Sequence, residues 1–272
     1  MKNLIVTIYS IIIILLYPTP SNAYYPYSPY SYCGGDPINS TDPTGCVIEG
    51  VSKHDAALAV EDFRAMFPGD EFKDFRNLIV QSGKKQTGKS FAPISTEALS
   101  AAFSGITLNE DQQALVDIVV NTINSNDVHK VEYVAPGKDM SLTSQNVYVP
   151  LLNSMNITAE MAAEFPEGYF HFVMALCGEA STTTTKTGTL TLISNQSDGF
   201  VTNRAATLGH EVMGHGRTLR LGYTDSQSQH VVPIQVENLI LRNMGIPFYR
   251  DGTDHAPGKT FIPNYMSIPI IR

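Results

Sequence analysis

The chain has 272 residues, 43% of them hydrophobic and 16% charged, with a formal net charge of −8. That composition can fill a core and excludes a disordered acidic chain. An excess of 26 Asp+Glu over 18 Lys+Arg argues against a nucleic-acid surface, so no nucleic-acid partner is expected.

Residues 1–23 read as a secretory signal peptide. Lys2 supplies the positive n-region, Leu4 to Tyr17 is an apolar run, Pro18 and Pro20 end any helix, and Ser21-Asn22-Ala23 offers a small-residue cleavage site. The run is short for a membrane span, which needs about 20 apolar residues. The expected location is therefore secreted, periplasmic or cell-surface, without stable membrane insertion after cleavage. Export permits disulfides. Cys33 and Cys46 flank a turn-rich stretch and either pair or remain thiols, as does Cys177. No pair has the C-x-x-C spacing of a zinc site.

Residues 24–50 are rich in Tyr, Pro and Gly, with turn chemistry at Asp36-Pro37 and Asp42-Pro43-Thr44-Gly45, and read as an extended linker. From residue 51 to 272 the pattern is globular. Helices are expected over Ala56–Phe67, Phe72–Val80 and Ser95–Phe103, then after a cap at Asn109 or Thr107, with Leu115, Ile118, Val119 and Ile123 on one face. Strands are expected at Val128–Val134, Asn146–Leu152 and Tyr169–Leu176, with a short helix between at Thr158–Phe165. Gly188–Ile193 alternates as an edge or half-exposed strand does, and as an edge it could take an extended peptide by strand addition. Helices follow over Ala205–Leu221 and Val236–Met244. The sum is α+β: a helical N-terminal part, a short antiparallel sheet and a metal-binding helix.

Gly83-Lys84-Lys85-Gln86-Thr87-Gly88-Lys89-Ser90 matches a P-loop letter for letter. Its context fails, because Pro93 would break the required helix in its second turn. A basic loop is the expectation there.

The chemistry is concentrated in His210-Glu211-Val212-Met213-Gly214-His215. Zinc hydrolysis needs imidazoles converging on one ion, a further ligand, an open position for water, and a carboxylate to take the water's proton. His210 and His215 are five apart. On an ideal α-helix they diverge by about 140°. A π-type turn of about 4.4 residues returns them nearly to one face, and Gly214 removes a side chain that would crowd it. Metal ligands are then His210 and His215, with Glu211 as general base. Glu237, at the start of the next expected helix, is the expected third ligand, and His230 is its rival. Among Tyr223, His230, Tyr249 and His255, Tyr249 and His230 are the foremost candidates for stabilising an oxyanion.

Two resemblances sharpen this. Tyr30 to Gly45, YSYCGGDPINSTDPTG, resembles the motif Y-x-Y-x-G-x-[DN]-P-[IV]-N-x-x-D-P-T-G that closes the core of Rhs/YD-repeat proteins and precedes a variable C-terminal domain, often a toxin. The stretch H-E-V-M-G-H-G resembles the H-E-x-x-G-H motif of dipeptidyl-peptidase-III-like zinc peptidases, which implies Zn2+ on His210 and His215 and general-base action by Glu211. Glu237-Asn238, with the later Gly245-Ile246-Pro247, resembles segments that recur in the tails of Rhs-linked zinc-peptidase toxin domains. Together they imply a zincin-like peptidase effector, with a protein or peptide substrate and a cognate immunity protein as partners. The alternatives from other classes are a secreted, catalytically inactive binding module and a cell-wall amidase-type metal hydrolase.

Overall fold

A computed structural model describes residues 48–195, 203–220, 226–247, 249–250 and 261–262; for 226–230, 249, 261 and 262 it describes the backbone alone. The expected signal peptide, most of the turn-rich segment with Cys33 and Cys46, and Tyr223 and His255 lie outside the described residues. The fold is mixed α+β. In chain order the elements are β1 (Ile48–Gly50), α1 (Lys53–Ala65), α2 (Lys73–Leu78), α3 (Thr96–Ala102), α4 (Glu110–Ile123), β2 (Val128–Val134), α5 (Leu142–Ser154), α6 (Ala159–Ala163), α7 (Gly168–Cys177), β3 (Ala180–Thr184), β4 (Gly188–Ser194), α8 (Arg204–Gly209), a π-helical segment (His210–Gly216), α9 (Arg217–Arg220), α10 (Ser226–Asn243), β5 (Tyr249–Arg250) and β6 (Phe261–Ile262).

The helices expected in the first half form where their caps allow. Ser52 and Asp55 make a reciprocal capping box at α1, and Asn109 and Gln112 make one at α4. Asn109, not Thr107, is therefore the cap. The P-loop-like stretch makes no helix. It reverses between Gln81 and Phe91, which bridge antiparallel, and Lys89 Nζ donates to the Val51 carbonyl at 2.7 Å.

Four strands form one sheet in the order β1-β2-β4-β3. β1, β2 and β4 are parallel, and β3 runs antiparallel to β4. The sheet is thus mixed, not the short antiparallel sheet expected. Ile48–Gly50, grouped with the linker by its composition, is one of its strands. Gly188–Ile193 is a strand but not an edge. β4 bonds to β2 on one side and β3 on the other, and every residue of it is buried. The alternation of Thr and Leu reflects two differently filled faces, not exposure. The edge strand beside β4 is β3, an Ala-Ser-Thr-Thr-Thr strand that its polar composition concealed; the other edge is β1.

Two expected strands are helices. Asn146–Leu152 lies in α5, whose buried stripe Ser144, Tyr148 and Leu152 has a four-residue spacing. Its N-terminus is held by a distant group: buried Glu132 on β2 accepts from the Ser141 amide at 2.6 Å and hydroxyl at 2.9 Å, and also from the Ser144 hydroxyl. Tyr169–Leu176 lies in α7, where Phe170 and Val173 are the buried positions. A continuous apolar run has no period to separate strand from helix. The turn at its end is set by Gly178, with φ +91°.

Each sheet face carries its own core. Val134, Leu190 and Leu192 pack with Tyr148, Leu152, Phe170 and Val173 of α5 and α7. On the opposite face Val131, Tyr133, Ala180 and Ile193 join the larger core of α1, α4, α8, the π-segment and α10. By register, that second face turns polar toward its other end, at His129, Thr189, Thr191 and Thr182.

The helix that carries the central motif starts from a buried ion pair. Arg204, the first residue of α8, reaches Asp62 of α1 through Nε at 2.9–3.0 Å and Nη2 at 2.9 Å, and Nη1 donates to Asn195 Oδ1 at 3.0 Å. The Tyr133 hydroxyl donates to the same carboxylate at 2.7 Å, and its ring lies 5.4 Å from the guanidinium. Burial holds the Asp62 carboxyl above its ordinary value despite these partners. Arg204→Leu should leave that carboxylate short of its cation. Because the Arg204 side chain is 28% exposed, we expect a loss at the low end for a broken buried pair, about 3 kcal/mol in urea unfolding.

Candidate metal centre

Residues 210–216 adopt the widened turn that five-residue spacing requires. The ring centroids of His210 and His215 are 5.1 Å apart, with planes at 67°. Three features fix the turn. The Thr218 hydroxyl donates to the Gly214 and His215 carbonyls at 3.1 and 3.0 Å, where the helical ladder changes pitch. At Gly214 an added Cβ would lie 2.5 Å from Pro233 Cα, so α10 closes directly on the backbone of the motif. At Gly209 an added Cβ would lie 2.1 Å from Ile240 Cδ1. Gly214 thus serves the helix crossing as well as the turn.

His210, Glu211 and His215 each offer a ligand atom, all within 4.8 Å of one another. His210 and Glu211 are buried and His215 is half-buried. The Glu211 carboxyl is pushed up to about 7, first by burial and then by the charge of Glu237; a hydrogen bond from Thr182 and the charge of Arg250 oppose the rise. Its Oε2 is buried with no hydrogen-bond partner among the described residues. A buried carboxylate oxygen without a donor among the described residues, beside two imidazoles, could hold a cation.

Glu237 is in the interior of α10, not at a helix start, since that helix begins ten residues earlier than its apolar pattern indicates. Its Oε2 lies 2.8 Å from His210 Nδ1, and its Oε1 lies 3.2 Å from Arg250 Nε. It is outside the three-residue cluster. The neighbouring Asn238 is fully buried and binds the backbone of Arg250 twice, donating to its carbonyl at 2.7 Å and accepting from its amide at 2.8 Å. The Glu-Asn pair therefore ties β5 to α10 and sets Arg250 beside Glu237. Tyr249 is in β5 and His230 in the first turns of α10, but both side chains lie outside what is described.

Sequence reasoning missed Thr182, Arg250, Asn238 and His129. Thr182 accompanies Glu211 and shares a 2.8 Å hydroxyl contact with Thr191; the four-threonine run at 182–185 was its one visible sign. His129 packs under the π-segment, where a Cβ on Gly216 would lie 3.3 Å from its Nδ1, and that nitrogen contacts the Thr189 hydroxyl at 2.9 Å. Cys177 is, among the described residues, a free thiol on an exposed residue.

Comparison with family models, characterised proteins and solved structures finds no match to this chain.

Two stability predictions follow from these contacts. Gly214→Ala forces a methyl onto the Pro233 backbone and should cost about 1–3 kcal/mol in urea unfolding. Burial also depresses His129 to about 4 from an ordinary 6.5. The unfolded chain then binds a proton between those values that the folded chain refuses, so stability is full above about pH 6.5 and falls as pH drops toward 4. The total is at most about 3 kcal/mol. His129→Gln should flatten that slope in unfolding measured from pH 7 to 4.

Proposed function

We propose that this chain is a zinc-dependent peptidase, with His210 and His215 as metal ligands and Glu211 as general base. The observation that carries the reading is the π-turn, which converges two imidazoles and a buried carboxylate that five-residue spacing on an α-helix would splay. A bound zinc ion would supply Lewis acidity and a water acidified to near neutral pH.

The chain's own residues supply the rest. Glu211 is suited to take and hold a proton, because burial raises its carboxyl toward neutrality. Thr182 holds its carboxylate from one side, leaving Oε2 without a donor among the described residues. β3 borders the sheet and packs against the π-segment. Its backbone edge suits an extended peptide laid beside Glu211, a role that β4, paired on both sides, cannot take. Tyr249 and His230 remain the proposed donors to a developing oxyanion.

The leader-like N-terminus and the Rhs-like motif at 30–45 support an exported, toxin-type effector that cuts a protein or peptide and is matched by an immunity protein. An amidase acting on cell-wall peptides would use the same groups, and an inactive binding module would not need Glu211.

The test compares the mature protein with Glu211→Gln and His210→Ala on a peptide library and on cell-wall peptides, with zinc measured in each. Glu211→Gln should keep zinc and lose about 10²–10⁴-fold in kcat; His210→Ala should lose zinc. Equal cleavage by wild type and Glu211→Gln would remove the general-base assignment, and cleavage confined to cell-wall peptides would make the chain an amidase.

A further inference from the structure

We infer that Glu237 acts on this centre as a positioning residue, orienting His210 from behind while Arg250 fixes it, and is not itself a metal ligand. The inference rests on the metal-centre reading above and refines it.

Distance is the first argument. Two ligands at about 2.0–2.1 Å from a tetrahedral zinc ion sit about 3.3 Å apart. Glu237 Oε2 and His210 Nδ1 are 2.8 Å apart, the length of a charge-assisted hydrogen bond. The carboxylate also lies outside the cluster formed by His210, Glu211 and His215, although it touches its first member. A carboxylate accepting from Nδ1–H fixes the tautomer of the ring and leaves the Nε2 lone pair for a metal.

Charge and packing are the second argument. Glu237 is 2% exposed, and its other oxygen has Arg250 Nε at 3.2 Å, an ion-pair contact outside hydrogen-bond geometry. The Arg250 side chain is 14% exposed, and Asn238 locks its backbone in both directions. A carboxylate held between an imidazole and a guanidinium is built for orientation. One intended to bind a dication would gain from not sharing its charge with an arginine. The chain Asn238–Arg250–Glu237–His210 thus runs from a fixed strand to one ring of the centre.

The experiment uses the full mature chain and zinc alone. Zinc affinity is measured by competition with a chelator for wild type, Glu237→Gln, Glu237→Ala, Arg250→Gln and His210→Ala, and X-ray absorption at the zinc edge counts the nearest donors. Gln keeps an oxygen that can accept from Nδ1–H. We expect Glu237→Gln to bind zinc with an unchanged donor count and an affinity reduced about tenfold, Glu237→Ala to fall nearer 100-fold, and Arg250→Gln to weaken binding with the donor count intact. Loss of an oxygen donor in Glu237→Gln, or equal losses for the Gln and Ala variants, would make Glu237 a ligand and overturn the inference while the metal centre stands. A wild type that takes up no more zinc than His210→Ala would sink both.

Discussion

The geometry of the candidate centre depends on one close approach, the packing of α10 against the backbone of the π-segment at Gly214 and Gly209. A π-turn is ordinarily a poor bargain for a helix, since it stretches the ladder and strands a carbonyl where the pitch reverts. Here the Thr218 hydroxyl meets the stranded carbonyls. Pro233 and Ile240 occupy the space that side chains at 214 and 209 would need. The widened turn is therefore held from outside as well as within. The same crossing brings Glu237 to His210, so the shape of the turn and the orientation of one ring have a common cause.

The sheet beneath explains where along the helix the chemistry sits. α8 begins over the apolar end of one sheet face, anchored at Tyr133 and Asp62 by Arg204. By Gly216 it has reached the polar end, above His129 and Thr189. Ionisable groups gather where hydroxyls and an imidazole line the floor, and the apolar end supplies the core. Burial of two carboxylates near a single described guanidinium would be costly without further positive charge. Burial is the first cause of the elevation of Glu211 to about 7, and the charge of Glu237 adds to it.

Local chemistry made much of this legible and long-range contacts made the rest invisible. The spacing of His210 and His215, read against helical geometry, was enough to require a π-turn. Apolar periodicity located α1, and a cap at Asn109 or Thr107 located α4. The errors share a form. Asn146–Leu152 has the β-branched and aromatic residues of a strand, but its helix starts at the cap Ser141, which Glu132 of a different element holds. Tyr169–Leu176 is apolar at every position but His171 and so carries no clear period. Gly188–Ile193 alternates like an edge strand, yet alternation marks two unlike environments, and here both are interior. Glu237 was found by its distance from the motif, but its place in mid-helix follows from α10 beginning at Ser226, which its polar first turns do not advertise. Arg250 had no signal of its own; it became visible through Asn238.

That last relation bears on what kind of site this is. Asn238 is fully buried, and its amide is spent on the backbone of β5, not on chemistry. An amide making both bonds of a strand neighbour costs side-chain freedom and desolvation, and it returns register: one residue of β5 is fixed against one residue of α10. The residue so fixed is the arginine that partners Glu237, and Glu237 partners His210. If the purpose were only to fasten β5, an apolar contact would serve with less to satisfy. The polar clamp instead sets where a guanidinium sits relative to a carboxylate, with Arg250 Nε 3.2 Å from Glu237 Oε1. Such precision is useful when a third group, here an imidazole, depends on the result.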